Sequence, residues 1–575
     1  MRFIIASLIA LIFFLGFFII DNQEVTEVSP VQFLPNDTTV YLDLENGFAS
    51  VGKFQESRFG KTISEIDLVE VSEYLDLDPI FISRLEKLRD NFRDVKDNKL
   101  FLSLLGSKFS VALFPERTWS PPLLPAGNYL KKQTLFISKQ HSFRSVITTA
   151  KRLYPKMVER AGVPYGQYRI RRFSIGHDTI AAAFVDGYVL LTMEERLLRE
   201  ALYVRDNAAI NLNTNPSFSR IRRNIETSDR KLYVDLSVMR EMSETIAAGV
   251  HSPREQAFLA ELSNLKGFPT AGYGAWRQGP VLRDSLMVEM DYEKILPLTG
   301  RMLKNKPESN ATLPFVVEDV LLYYWSNTLN ARLLWKMYRE ERASDGHDIS
   351  GMTKSTREIT GYTVEELTEM MGNDIGLILR PSEHEQFIPI PDTALFIKLK
   401  DRKKIKEAVD HSADHFKISL QSRRYKSVKY YYWGLYPMEN LQPVYTIHKG
   451  YLIVANTLNI FKSIVDLMAD KEPLSSSIKF APIDPGFREK NNSVCYVDQK
   501  TLLGQFRELA SWAGTMLAIQ DRRAAAKSKI LIDRLINPLL LGLTMYEKSA
   551  TRTYIDKNWI ITEARTQKEL ILEKN

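Results

Sequence analysis

The feature that most constrains this chain is that much of it is written twice. Tyr168–Leu202 reads YRIRRFSIGHDTIAAAFVDGYVLLTMEERLLREAL. A second version starts at Tyr425 (YKSVKY) and runs through PVYTIHKGYLIVANTLNIFKSIVDLM, ending at Met468. In each, a strand-like run meets a Gly-Tyr pair, a second apolar run follows, and an amphipathic helix pattern closes the stretch. Gly187-Tyr188 and Gly450-Tyr451 lie 263 positions apart (450 − 187). Tyr233-Val234-Asp235 and Tyr496-Val497-Asp498 lie the same 263 apart (496 − 233). A shared offset across ungapped sequence predicts a tandem duplication. The period far exceeds the roughly 20–50 residues of a solenoid unit, so it predicts two homologous domains instead of a stacked array.

The rest of the chain falls into the same order. Leu34-Pro35 opens the first half and Leu313-Pro314 the second. Gly106 and Pro115 recur as Gly372 and Pro381, both displaced by 266 (372 − 106; 381 − 115). TLFIS (Thr134–Ser138) recurs as ALFIK from Ala394, displaced by 260 (395 − 135). Alternation predicts strands at Thr39–Leu44, Leu104–Pro115, from Lys231, and in the pair Tyr273–Arg277 and Leu282–Met290. Helical spacing predicts helices near Phe54–Leu68, at 76–99, at Phe143–Arg160 and at Pro253–Asn264, with a Pro-rich loop at Ser120–Gly127. In the second half, strands are expected at Val320–Trp325, Met370–Pro381, Leu543–Lys548 and Trp559–Ala564. Strands arrive both as hairpins and separated by helices. The expected class is therefore α+β: two tandem homologous domains, 33–295 and 313–575, each a largely antiparallel sheet with packed helices. Residues 296–312, PLTGRMLKNKPESNATL, read as a linker.

The N-terminal segment sets the location. Residues 3–20, FIIASLIALIFFLGFFII, carry no charge and are nearly all apolar. At about 1.5 Å per residue that is close to the least that spans a hydrocarbon core of about 30 Å. Arg2 precedes it and Asp21, Glu24 and Glu27 follow, so the positive-inside bias places the bulk of the chain outside the cytoplasm. The run ends GFFIIDNQ without an A-x-A pattern. Residues 1–22 are thus expected to be an uncleaved transmembrane signal anchor, a cleaved signal peptide being the rival, and 23–32 an acidic stalk. The one cysteine, Cys495, rules out a disulfide framework within the chain, and a nearly Cys-free chain suits an oxidising compartment. The charge of +7 and a pI near 9.0 are a mild basic excess, read as a solvated surface.

This order resembles a family of membrane-anchored bacterial proteins known only as a domain of unknown function (DUF3352). The residues that carry the resemblance are the opening LPNDTTVYLDLEN, the Gly106–Pro115 strand, the Gly-Tyr hairpins and the Tyr-Val-Asp strands. These are patterns of fold, so the resemblance implies no substrate and no catalytic residue.

Gly60-Lys61-Thr62 matches the tail of a phosphate-binding loop, but Gln55 stands where its first glycine belongs. No G-x-S-x-G, H-E-x-x-H or G-x-G-x-x-G occurs. His411 and His415, spaced i,i+4 beside Asp410 and Asp414, suit a zinc ion by spacing, yet the matching helix of the first half has no histidine. They read as a polar helix face, and His177 as a turn residue. Basic clusters stand at Arg169/Arg171/Arg172, Arg220/Arg222/Arg223, Arg402/Lys403/Lys404/Lys406 and Arg522/Arg523/Lys527/Lys529, with a weaker echo of the first at Arg423, Arg424, Lys426 and Lys429. They read as solvated faces. Aromatic runs Tyr323/Tyr324/Trp325 and Tyr430/Tyr431/Tyr432/Trp433 place alternate rings on opposite faces of a strand. The half facing away from the core is expected to be covered by the other domain, or else by a partner.

The reading is a noncatalytic binding or assembly factor of the cell envelope, held in the inner membrane with its bulk periplasmic or extracytoplasmic. No catalytic, cofactor-binding or metal residues are assigned. The expected partners are the membrane and an envelope protein or lipid, not nucleic acid. The alternatives are a carrier or chaperone for an apolar ligand, which needs a continuous apolar groove, and an envelope hydrolase with an unrecognised site.

Overall fold

The computed structural model describes residues 29–45, 56–66, 83, 108–115, 132–140, 142–176, 178–247, 265–344, 348–382, 390–434, 442–469, 473–520, 529 and 531–568. The expectations for the anchor (1–22), the helices at 76–99 and 253–264, the loop at 120–127, His177 and the cluster 522–527 lie outside these residues. Among the described residues no helix is long and apolar enough to cross a membrane. The chain forms two compact units. Unit 1 comprises Met1–Ile295 with Asp533–Gly542 and Asn558–Ile561; unit 2 comprises Leu296–Ile532, Leu543–Lys557 and Thr562–Asn575. The fold is α+β and its sheet pairings are antiparallel.

Unit 1 is built on strands β1 (Val40–Glu45), β2 (Lys108–Leu113), β3 (Thr134–Lys139), β4 (Val158–Tyr165), β5 (Tyr168–Ile175), β6 (Asp178–Val185), β7 (Tyr188–Thr192), β8 (Arg230–Asp235), β9 (Thr270–Gln278) and β10 (Val281–Glu289). They pair in the order β10-β9-β8-β1-β2-β3-β7-β6-β5-β4. Its helices are α1 (Arg58–Glu65), α2 (Phe143–Leu153), α3 (Glu195–Asp206), α4 (Pro216–Asn224) and α5 (Leu236–Ala247). The β6–β7 hairpin turns on Asp186 (φ 52°) and Gly187 (φ 79°). Two successive positive φ values match the twist of the flanking strands, and glycine reaches its value without strain. Helix α3 buries Leu197, Leu198, Ala201, Leu202 and Val204, the i, i+4 stripe that its sequence spacing demands. Helix α4 starts where Asn215 caps the Phe218 amide at 3.1 Å and Pro216 fills the first turn. It lies so close to β9 that a Cβ on Gly272 would stand 2.2 Å from Ile221.

Two expectations for this half need correction. The helix expected over Phe143–Arg160 ends at Leu153, and Arg160 lies in β4, paired with Arg172. Pro155 is the cause: it disfavours helical backbone at Tyr154, so the helix stops and the chain re-enters as a strand. The acidic stalk ends early as well, because Pro30–Phe33 form a turn of 3-10 helix with Pro30, Val31 and Phe33 buried.

Unit 2 carries α6 (Pro297–Leu303), β11 (Glu308–Ser309), β12 (Leu322–Ser326), α7 (Ala331–Ser344), α8 (Ser350–Thr360), α9 (Val364–Met370), β13 (Met371–Arg380), β14 (Asp392–Leu399), α10 (Arg402–His415), β15 (Leu420–Tyr425), β16 (Val428–Trp433), β17 (Val444–His448), β18 (Tyr451–Ala455), α11 (Leu458–Ala469), β19 (Lys490–Asn491), β20 (Ser493–Asp498), α12 (Gln499–Gln520), β21 (Tyr546–Asp556) and β22 (Trp559–Lys568). The main strands pair in the order β21-β20-β12-β13-β14-β18-β17-β16-β15. Cross-strand hydroxyl pairs Ser549–Thr566 (2.9 Å) and Thr553–Thr562 (3.0 Å) fix β21 against β22. The β17–β18 hairpin turns on Lys449 (φ 46°) and Gly450 (φ 86°), and Tyr451 opens the next strand as Tyr188 does in unit 1.

The segment 296–312, expected to be a linker, is structured. Pro297 starts α6, β11 pairs with β19, and Asn310 is buried. The Asn310 carboxamide oxygen accepts the amides of Thr312 and Leu313 (both 3.1 Å) and the Tyr323 hydroxyl at 2.9 Å. The aromatic expectation is corrected for the run in β16. Tyr323, Trp325 and Tyr430 are buried, and Tyr430 meets Phe461 of α11 at 5.0 Å. On the other face of β16, Tyr431 stacks on Tyr445 at 5.0 Å and Trp433 meets that ring tilted at 5.3 Å. They join a cluster with Met370 of α9 and Ile405 of α10. Unit 2 covers both faces of this edge with its own helices. The single cysteine, Cys495, sits in β20 between Tyr324 and Thr551, and burial pushes its thiol up to about 11.

Candidate functional site

The site is a polar pocket at one corner of unit 2. Strand β20 lies between β12 and β21, and its last residue, Asp498, leads straight into α12. The Asp498 amide donates to the Leu321 carbonyl at 2.8 Å, and its carboxylate caps α12 by accepting the Thr501 amide at 3.1 Å. Lys548, the cross-strand partner of Asp498 on β21, holds its Nζ 3.9 Å from that carboxylate. Around this corner lies a pocket of about 350 Å³, also lined by Glu318, Asp319, Leu321, Pro381, Leu474, Ser477, Lys479, Phe480 and Tyr496. Its floor is apolar: Leu321, Leu474, Phe480 and Tyr496 are all buried. Phe480 meets the Tyr496 ring edge-on at 5.7 Å. The rim is charged. Ser477 donates to Glu318 at 2.8 Å, and buried Arg380 pairs with Asp319 at 2.6 Å. Burial first, then the Asp498 and Glu318 carboxylates, hold the Tyr496 phenol well above its ordinary range.

The matching register of unit 1 carries a different set of groups. Tyr233 stands on β8 as Tyr496 stands on β20, opposite Tyr41 and Tyr323 respectively. Phe218 meets Tyr233 edge-on at 5.2 Å. Asp235 caps α5 by accepting the Val238 amide at 3.0 Å. Here one oxygen of Glu289, at the end of β10, accepts both the Ser217 and Thr270 hydroxyls at 2.7 Å. Burial first, then Asp235 and Glu289, raise the Tyr233 phenol.

Unit 1 also holds an ion cluster around the buried carboxylate of Asp43. Asp43 on β1 accepts the Ser110 hydroxyl at 2.7 Å, and Lys108 lies 3.4 Å from Asp43 and 3.2 Å from Glu45. Lys231 is the cross-strand partner of Asp43 from β8. Burial first, then the neighbouring Lys108 charge, lowers Lys231; Asp43 and Glu45 outweigh burial and raise Lys108.

The candidates from the sequence do not converge on either place. Gly60-Lys61-Thr62 lies inside α1, where Ser57 caps the Gly60 amide at 3.1 Å and Thr62 donates back to the Arg58 carbonyl. His411 donates from Nδ1 to the Ile359 carbonyl at 3.1 Å, and His415 meets Phe416 edge-on. Among the described residues no three His, Cys, Asp or Glu side chains gather as a metal-holding set. The basic clusters are tied into local pairs: Arg171 to Glu159, Arg172 to Glu195, Lys406 to Asp410 and Lys426 to Asp466. Sequence reasoning missed the pocket because its parts come from five separate segments. The one signal available was the second Tyr-Val-Asp copy, which carries Tyr496 and Asp498.

No family model and no curated protein matches this chain. Among solved structures, crystal form III of TP0453 aligns with 12% identity over 49% of this chain and 89% of that one, at a TM-score of 0.24. Crystal form IV aligns with 11% identity over 46% and 81%, at a TM-score of 0.22. Likenesses this slight carry no argument about fold or function.

Proposed function

We propose that this protein is a noncatalytic binding factor of the cell envelope, anchored in the inner membrane by residues 1–22, with the pocket of unit 2 as its recognition site. The single observation that carries this is the pocket's construction. A volume of about 350 Å³ lies at the small end of the range of ligand sites, roughly 300–1,000 Å³. Its carboxylates already serve structural ends: Asp319 holds Arg380, Glu318 takes the Ser477 hydroxyl and Asp498 caps α12. Such groups position charge and read a ligand. A carrier for an apolar chain fits less well, because Glu318, Asp319, Lys479, Asp498 and Lys548 line the cavity.

The proposal includes a duplication and membership of the DUF3352 family, the latter resting on the sequence motifs alone. The support for the duplication is the strand order, β9-β8-β1-β2-β3-β7-β6-β5-β4 in one unit and β21-β20-β12-β13-β14-β18-β17-β16-β15 in the other. The tyrosines Tyr41, Tyr188 and Tyr233 match Tyr323, Tyr451 and Tyr496 by register. The anchor reading rests on the uncharged run 3–20 and the charges that flank it.

The test is a photo-crosslinking amino acid placed at Thr501 on the pocket rim, with Thr148 on the exposed face of α2 as control. In cells the Thr501 position should yield a discrete adduct that Thr148 does not. Identical patterns from both positions would sink the reading. Deleting residues 1–22 should release the protein from sedimented membranes; continued sedimentation would show a second attachment.

A further inference from the structure

Unit 1 carries a template for what belongs in the pocket of unit 2. Aligning the Tyr233 and Tyr496 strands by register places Lys548 where unit 1 has Thr270, since Asp235 pairs with Thr270 and Asp498 with Lys548. Aligning Phe218 with Phe480, each edge-on to that tyrosine, places Lys479 where unit 1 has Ser217. These two hydroxyls hold the Glu289 carboxylate in unit 1. Both are lysines in unit 2, and both line the pocket. The strand that supplied the acid has changed as well. The β21–β22 register set by Ser549–Thr566 and Thr553–Thr562 places Gln567 opposite Lys548, where β10 places Glu289 opposite Thr270. Unit 2 has therefore lost the internal carboxylate and gained two ammonium groups at the positions that bound it.

We infer that the pocket of unit 2 binds a small zwitterion, whose carboxylate takes the place that Glu289 fills in unit 1. Lys479 and Lys548 receive that carboxylate. The ligand's ammonium lies toward Glu318 and Asp498, which line the same pocket beside Tyr496. Leu321, Leu474 and Phe480 supply an apolar floor for the part between the charges. A simple anion fits less well, because three carboxylates share the lining; a simple cation fits less well, because two lysines do. Amino acids and the free ends of short peptides carry the required pair of charges at this scale. This inference rests on the pocket being a recognition site, but its test is independent of the crosslinking experiment, which reports any occupant.

The experiment is calorimetric titration of the full chain in detergent with alanyl-alanine. Alanyl-alanine amide and N-acetyl-alanyl-alanine, each lacking one charge, are titrated beside it. The free dipeptide should bind saturably at one site, and each blocked form at least about tenfold more weakly. The double variant Lys479→Ser with Lys548→Thr installs the residues of unit 1. It should lose at least about tenfold in affinity for the free dipeptide while melting at the wild-type temperature. Absence of saturable binding, equal binding of either blocked form, or unchanged affinity in a folded double variant would overturn the inference. The blocked probes keep it falsifiable if the variant misfolds.

Discussion

Tyr41, Tyr188 and Tyr233 of unit 1 and Tyr323, Tyr451 and Tyr496 of unit 2 hold matching places in their sheets, yet the polar groups set among them differ completely. In unit 1, Asp43 meets Ser110 and Lys231 across the strands, with Lys108 and Glu45 beside it. In unit 2 the position of Asp43 is Trp325, that of Ser110 is Gly376 and that of Lys231 is Val494. The Trp325 indole donates to Asp374 at 2.5 Å, and Tyr451 donates to the same carboxylate. One unit satisfies its interior by balancing charges and the other by surrounding one carboxylate with neutral donors. The lesson is that the aromatic frame fixes where polar groups sit. It leaves open how they are neutralised, provided each has a partner.

The comparison is broken most forcefully at Asp43. Asp43→Ala leaves Lys108 with one acid and Lys231 with none directly across from it. Loss of one partner from a buried ion cluster costs roughly 3–5 kcal/mol. Hydrogen exchange should show protection falling in β1, β2 and β8 and not in β12, β13 and β20. An equal fall in both sets would mean the units do not hold their cores separately. In unit 2, Trp325→Phe keeps most of the ring and removes the donor to Asp374. The expected loss is roughly 2–3 kcal/mol, since hydrogen bonds to charged groups are the stronger kind. Protection should fall this time in β12, β13 and β18; a stable variant would mean that Tyr451 alone satisfies Asp374.

Two carboxylates sharpen the contrast through pH. Burial raises Asp374, and its donors Tyr451 and Trp325 pull it back. Burial alone pushes half-buried Asp284 of β10 up to about 6. A folded-state value above the unfolded one of about 3.9 means that the fold favours the protonated acid. The stability it contributes is complete below about pH 4 and lost as pH rises through about 6. Asp284→Asn should therefore stabilise the protein by roughly 1–2 kcal/mol at pH 7.5 and hardly at all at pH 4. Equal gains at both values, read from denaturant midpoints, would remove Asp284 as the source. The smallest effect is expected at the hairpins. Gly187→Ala and Gly450→Ala should each cost about 1 kcal/mol, the penalty of a side chain at positive φ. An added Cβ at Gly450 also comes within 3.3 Å of the Arg402 side chain, whose flexible end can move away. Costs that differ by much more than that would show that the two turns are not alike.

These contrasts also mark what was legible in the sequence. The hairpins were, because a glycine beside a strand-starting tyrosine signals positive φ whatever surrounds it. So was the antiparallel α+β class, because strands arrive both as hairpins and separated by helices. The helix expected to continue through Pro155 failed because apolar spacing was followed past a proline that ends it, so β4 went unread. The buried role of Asn310 was hidden inside a stretch whose Pro, Asn and Ser content resembles a loop. The pocket was illegible because Lys479 and Lys548 read as ordinary surface lysines. Only the pairing of β20 with β21 brings Lys548 to Asp498.

The solitary thiol of Cys495 gives unit 2 its own clock. With its ionisation pushed up to about 11 by burial, about one folded molecule in ten thousand presents a reactive thiolate at pH 7. An exposed thiol, ionising near 8.5, presents it several hundred times more often. The rate at which a thiol reagent labels the untouched protein therefore reports on the surroundings of this half-buried thiol in β20. With one cysteine in the whole chain, that rate reads this strand and no other.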